Sequence, residues 1–225
     1  MAAPHAKLRR AQGQLEATGG FGQLGGGALA IGDIAVHRDH VRLLDPGAGI
    51  GSLTAAWVAA LAGRRERPSR VTVFAYEIDP RLHGPLRETL GDCQAACAEM
   101  AVGCEWAVFG NDFVEAMVGA LDGGLFEPAR PAFDVAILNP PYKKFRTKSR
   151  PRALLRRLGI ETSNLYTAFL ALVGEALAPG GELVAITPRS FCNGPYFRPF
   201  REHLLGRMSL TYVHTFELRD HAFSD

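Results

Sequence analysis

Cysteine is scarce, four in 225 residues, and Cys93, Cys97, Cys104 and Cys192 show no paired metal-ligand spacing. That argues against a disulfide framework at this length and leads to an expectation of reduced core thiols. An excess of one charge sign is also lacking: 25 Lys and Arg against 23 Asp and Glu leave a net charge of +2. No global field therefore demands a polyanionic partner, and any such argument must be local. No apolar run approaches the length of a membrane span, and the N-terminus has no apolar signal core. The expectation is a cytoplasmic protein with no membrane partner. What is present, 47% hydrophobic and 21% charged residues, is ordinary for a globular chain. Its length suffices for one α/β domain with a full core, or for two small ones. There is no internal repeat.

Residues 1–40 are Gly-rich, with Gly19-Gly20-Phe21-Gly22 and Gly25-Gly26-Gly27, and read as a loosely ordered lead-in. From Val41 onward apolar runs alternate with helical periodicity, so residues 41–225 are expected to form the main domain. Strands are predicted at Val41–Leu44, Val71–Tyr76, Glu105–Phe109, Phe133–Leu138, Leu183–Thr187 and Leu210–Phe216. Helices are predicted at Leu53–Ala62, Leu82–Met100 (broken or bent near Gly91), Val114–Leu121, Leu165–Leu177 and Tyr196–Leu205, with Pro179-Gly180-Gly181 stopping the fourth. Such alternation implies a parallel sheet covered on both faces.

The groups that carry chemistry fall at the predicted strand ends. Asn139-Pro140-Pro141-Tyr142 follows the fourth strand. The Asn139 side-chain carbonyl and the Pro140 backbone carbonyl can accept the two hydrogens of an amine, and the prolines stiffen the backbone and remove competing N–H donors. Tyr142 adds a flat face for a planar base. Asp45-Pro46-Gly47-Ala48-Gly49-Ile50-Gly51 follows the first strand, at the turn where open parallel sheets bind ligands. Gly47 and Gly49 let backbone approach a ligand closely. Asp45 suits a ligand with a cationic amino-acid end and suits a pyrophosphate poorly. Glu77, ending the second strand, can accept two ribose hydroxyls. After the third strand, Asp112 can accept from an adenine amine while Phe113 packs on the ring. Each has an ordinary alternative: a Gly-rich turn, a solvated strand end at Glu77, a helix N-cap at Asp112.

Together these motifs resemble the class I S-adenosylmethionine-dependent methyltransferases, specifically the adenine-specific DNA methyltransferases of restriction–modification systems, in their gamma motif order. The match runs from Val41 to Asp225 and includes Asn164-Leu165-Tyr166 and Pro179-Gly180-Gly181-Glu182-Leu183. The resemblance implies a doubly wound, mostly parallel α/β sheet of Rossmann-like type and S-adenosylmethionine as cofactor. It further implies double-stranded DNA as partner, with methyl transfer to the N6 amine of a flipped adenine. Asn139 and Pro140 would then hold the amine, and Tyr142 and Phe223 would stack the base. Eight of the 25 basic residues fall between 143 and 157 with no acid among them. A charge run is usually a solvated face, but beside a base-flipping pocket Lys143, Lys144, Arg146, Lys148 and Arg150 are expected to contact the DNA backbone.

Two departures accompany the resemblance. Residues 11–40 hold no aromatic-Thr-Pro segment of the kind relatives use to close over the cofactor. The domain is also expected to be truncated before its last strand and to lack a target-recognition region. That makes a separate recognition subunit or a cognate restriction endonuclease an expected partner. Alternatives are a glutamine methyltransferase acting on release factors, a guanine-amine RNA methyltransferase, or a non-catalytic DNA-binding subunit.

Overall fold

A computed structural model of the chain describes residue 34 and residues 38–123, 131–146 and 149–214. Five strands form one sheet: β1 (His40–Pro46), β2 (Arg70–Tyr76), β3 (Gly103–Phe109), β4 (Phe133–Leu138) and β5 (Leu177–Ala185). Their order is β3-β2-β1-β4-β5 and every neighbouring pair is parallel. Helices α1 (Ser52–Ala62), α2 (His83–Glu99), α3 (Phe113–Asp122), α4 (Arg150–Arg157), α5 (Leu165–Ala176) and α6 (Arg198–Leu205) cover it. The predicted doubly wound α/β fold is the one found.

Strand periodicity explains the two cores. Leu43, Val135 and Ile137 point to one face, where Trp57, Leu61, Leu86 and Leu90 of α1 and α2 pack. Their neighbours Leu44, Ala136 and Leu138 point to the other, against Phe113 and Met117 of α3 and Phe169 and Leu172 of α5. All six residues of β4 are consequently buried, as expected of a central parallel strand. The one acid in that run, Asp134, sits level with Arg42 and accepts from its backbone N–H at 2.8 Å and its Nε at 3.0 Å, with Arg38 at 3.2 Å. Burial alone would raise the Asp134 pKa, but the hydrogen bonds and charges of these arginines hold it below the usual carboxylate range.

Four expectations need correction. Helix α2 runs unbroken through Gly91, because its buried face (Leu86, Leu90, Cys93, Ala96, Cys97) outweighs the roughly 1 kcal/mol cost of one glycine. Helix α5 ends at Ala176, and Leu177 already pairs with Phe133. Pro179-Gly180-Gly181 therefore lies within β5 as a register irregularity, since the next ladder pair is Val135 with Glu182. A Cβ on Gly181 would lie 2.9 Å from the Ala178 carbonyl oxygen and 3.0 Å from that of Phe133, so the bulge requires a glycine there. No strand forms over Leu210–His214: Leu210, Tyr212 and Val213 are 57–64% exposed and pair with no sheet edge among the described residues. Finally, Arg150–Arg157, read only as a basic flank, is a helix with Pro151 in its first turn. Cys93, Cys97 and Cys104 are buried as expected, whereas Cys192 is exposed.

Candidate active site

The strand register brings the motifs to one edge. Pro46, Tyr76 and Phe109 are level across β1, β2 and β3, and Leu138 is level with Ala185. With Leu44 beside Ala136, the residues one step beyond (Gly47, Glu77, Gly110, Asn139 and Ile186) form a row along the C-terminal edge. This is where open parallel sheets bind ligands.

On the β1–β3 side the polar groups are already held. Asp45 is 1% exposed and lies beneath the glycine loop, its Oδ2 accepting from the Thr54 hydroxyl at 2.6 Å. Burial pushes its pKa up to about 7; hydrogen bonds from the Thr54 side chain and backbone oppose the shift, and the Glu77 charge adds to it. The loop above turns through left-handed glycines, Gly47 at φ 74° and Gly49 at φ 58°. The Gly47 and Ala48 N–H groups donate to the Tyr76 carbonyl at 2.8 and 2.9 Å. Glu77 is 8% exposed, and its two oxygens accept from the Gly49 and Asp79 N–H groups at 2.8 Å each. A carboxylate has about four acceptor positions, so two of these bonds leave capacity for hydroxyl donors. His83 Nε2 reaches the Glu77 carbonyl at 2.7 Å and its ring packs over Gly110.

Asp112 is an N-cap: its Oδ1 accepts from the Glu115 N–H at 2.9 Å and starts α3. Phe113 is 4% exposed, tilted against Phe169 at 4.7 Å and edge-on to Tyr76 at 5.3 Å. The ordinary reading of Asp112 and a core role for Phe113 thus hold alongside their position at the tip of β3.

The β4–β5 side is more open. Asn139 is exposed, Pro140 is buried behind it, and Tyr142 is 41% exposed. The Tyr142 hydroxyl donates to Asn139 Oδ1 at 2.7 Å, with the Ile186 carbonyl at 3.3 Å as a second acceptor. Its ring meets Tyr166 edge-on at 6.3 Å, and burial pushes its pKa up to about 12. Tyr166 belongs to the Asn164-Leu165-Tyr166 motif, which is strapped to the loop after β4: the Leu165 N–H donates to the Lys143 carbonyl at 2.8 Å.

The Eco57I restriction-modification methylase family profile matches residues 105–223, more than half of the chain. The chain belongs to that family. It is 46% identical over 189 residues to the type II methyltransferase M.BsuBI of Bacillus subtilis, covering 83% of this chain. It spans only 36% of that relative's length. Among solved structures it resembles the methyltransferase subunit of a type I restriction-modification system from Streptococcus thermophilus, with a TM-score of 0.52, 18% identity, and 80% of this chain and 37% of that one covered. It also resembles a Listeria monocytogenes protein assigned to the class I S-adenosylmethionine-dependent methyltransferases, with a TM-score of 0.50, 17% identity and coverage of 77% and 47%. The fold is that of the class I methyltransferases.

In this member of the family the basic segment divides. Lys143, Lys144 and Arg146 are exposed and have no acidic partner among the described residues. The arginines of α4 do: Arg150 pairs with Glu115 at 3.2 Å, Arg156 with Glu161 at 2.8 Å, and Arg157 with Asp122. Lys148 and Phe223 lie outside the described residues. Sequence reading passed over Thr54, whose hydroxyl faces Asp45 only because α1 starts directly after the glycine loop. It also passed over Ile78, an apolar side chain 62% exposed beside Glu77. An apolar residue directly after a strand-end acid was the available signal for it.

Proposed function

We propose that this chain carries the catalytic centre of a DNA methyltransferase, transferring a methyl group from S-adenosylmethionine to the N6 amine of an adenine flipped out of double-stranded DNA. The observation that carries this reading is the row at the sheet edge, where Asn139 follows β4 and lies next to the Asp45–Gly49 loop following β1. The cofactor supplies one thing, an electrophilic methyl on a sulfonium. The residues present fit it: Glu77 keeps acceptor capacity for ribose hydroxyls, Ile78 offers an apolar face for the adenine ring, and the site a Cβ would occupy on Gly49 opens onto free space. Asp45, beneath the loop, would be drawn into its charged form by a cationic amino-acid end, against the upward pKa shift that burial gives it.

Asn139 Oδ1 and the Pro140 carbonyl accept the two hydrogens of the target amine and favour a more tetrahedral nitrogen, restoring a lone pair otherwise delocalised into the purine. Tyr142 gives the flipped base a face, once its hydroxyl leaves Asn139 Oδ1 to the amine. Positioning and hydrogen bonding then supply the acceleration, with no base needed before attack, because the amine proton leaves to solvent after the C–S bond has broken and the N–C bond has formed. Lys143, Lys144 and Arg146 hold phosphates beside the pocket without reading sequence. A recognition subunit or cognate endonuclease would supply the rest of the restriction–modification system.

The test is transfer of labelled methyl from S-adenosylmethionine to unmethylated DNA, followed by nucleoside analysis. N6-methyladenine should form with the intact chain and be lost in Asn139→Ala. Label found only on a glutamine-containing peptide, or full activity in the variant, would overturn the reading.

A further inference from the structure

A second recess lies past the amine clamp. The Phe145 N–H donates to the Ser163 carbonyl at 2.7 Å, so residues 143–145 run antiparallel beside the approach to α5, with Lys144 opposite Asn164. This ribbon, α4 and the start of α6 flank an open cavity of about 470 Å³, within the size range of ligand sites. Its walls include four aromatic rings, Phe145, Tyr196, Phe197 and Phe200, two cations, Lys144 and Arg152, and one acid, Glu161. Tyr196 and Phe197 stand perpendicular with centroids 4.9 Å apart, forming a corner, and the Tyr196 hydroxyl is bonded to Ser163 Oγ.

The charges are not balanced within the cavity. Glu161 is engaged by Arg156 at 2.8 Å, while Arg152 approaches it only to 4.0 Å. Arg152 Nε is buried with no hydrogen-bond partner among the described residues. A buried donor on a cation left without an acceptor is costly, and an anionic oxygen would satisfy it. Aromatic faces beside cations are the chemistry with which proteins hold unstacked nucleotides. Lys144 is two residues from Tyr142, within about 7 Å along the chain, so a strand whose adenine lies on Tyr142 reaches this cavity with an adjoining nucleotide.

We propose that the cavity receives one unstacked nucleotide flanking the target adenine, its base in the Tyr196–Phe197 corner and its phosphate on Lys144 and Arg152. This rests on the DNA methyltransferase reading above. It adds a second point at which the strand leaves the duplex stack, and makes the neighbouring base part of what is bound.

The probe is a single-stranded trideoxynucleotide with a central 2-aminopurine, whose fluorescence is quenched on stacking. The intact chain should quench it saturably. Tyr196→Ala and Lys144→Ala should each weaken binding about tenfold, the effect of losing one stacking ring or one phosphate contact. Tyr196 is 62% exposed and Lys144 is exposed, so both variants should keep the wild-type unfolding transition. Absence of saturable quenching, or unchanged affinity in both cavity variants, overturns the proposal. Probe binding that follows the cavity variants without any methyl transfer to DNA would sink the catalytic reading and leave the cavity standing.

Discussion

The two halves of the sheet edge are built differently. Over β1–β3 the carboxylates are buried and hydrogen-bonded: Asp45 by Thr54, Glu77 by two backbone N–H groups. Over β4–β5 the side chains are exposed, and Tyr142 is bonded to the very acceptor, Asn139 Oδ1, that the substrate amine would use. The first half is organised before any ligand arrives. On the proposed function, the second would exchange an internal hydrogen bond for an external one. A small cofactor with fixed charges suits a rigid seat, whereas a base swung out of a duplex needs a face that can move aside.

The largest effects should separate the halves outright. Asn139→Ala is expected to lower methyl transfer by about 10²–10³-fold, the scale for one preorganised polar group, while cofactor affinity by calorimetry stays within about twofold. Glu77→Ala should do the reverse, weakening cofactor binding by roughly 10–100-fold through lost bonds to a charged acceptor. If both variants lose cofactor equally, the division is wrong.

A smaller effect probes how firmly the first half is set. Asp45 has a folded pKa of about 7 against 3.8 for the free side chain. A raised pKa means the folded state holds the proton more tightly, so the stability it contributes is complete below about pH 4 and lost as pH rises through 7. Denaturant unfolding should therefore show stability falling by about 1 kcal/mol per pH unit between pH 5 and 7, and a flatter profile in Asp45→Asn. An identical slope in the variant would remove Asp45 as the cause.

The basic segment offers a similar contrast. Lys143→Ala or Arg146→Ala should reduce the salt dependence of DNA binding by about one counterion each and leave stability unchanged. Arg150→Ala and Arg157→Ala should reduce it less, and cost at most about 1 kcal/mol of stability through surface ion pairs. Equal salt effects at all four positions would undo the distinction. The smallest expected change is in Tyr142→Phe, which frees Asn139 Oδ1 while keeping the ring: DNA affinity should move by no more than about threefold, in the tighter direction. A large loss would show that the hydroxyl is needed with substrate bound.

Much of the fold was legible because buried parallel strands are continuous apolar runs, and Phe133–Leu138 matches its strand to the residue. Errors fell where local pattern lacked a partner. Leu210–His214 alternates like a strand but pairs with no sheet edge among the described residues, and Pro179-Gly180-Gly181 looks like a stop where it is a bulge. At the site, the identity of the strand-end residues was legible and their bonding was not. Nothing local shows that Tyr142 turns its hydroxyl onto Asn139, or that Glu115 and Asp122 neutralise arginines remote in sequence.

The sequence by itself determined the alternation of strand and helix, the order of the motifs, and the residue types set at each strand end. These are properties of neighbours along the chain, where side-chain period and turn chemistry act over a few residues. Only the tertiary structure decided that the strand ends align in one row, which carboxylates are buried, and which cations pair with an acid among the described residues. Alignment follows from the register of parallel strands joined by long crossovers, and burial and charge pairing from elements that meet only when both faces of the sheet are covered.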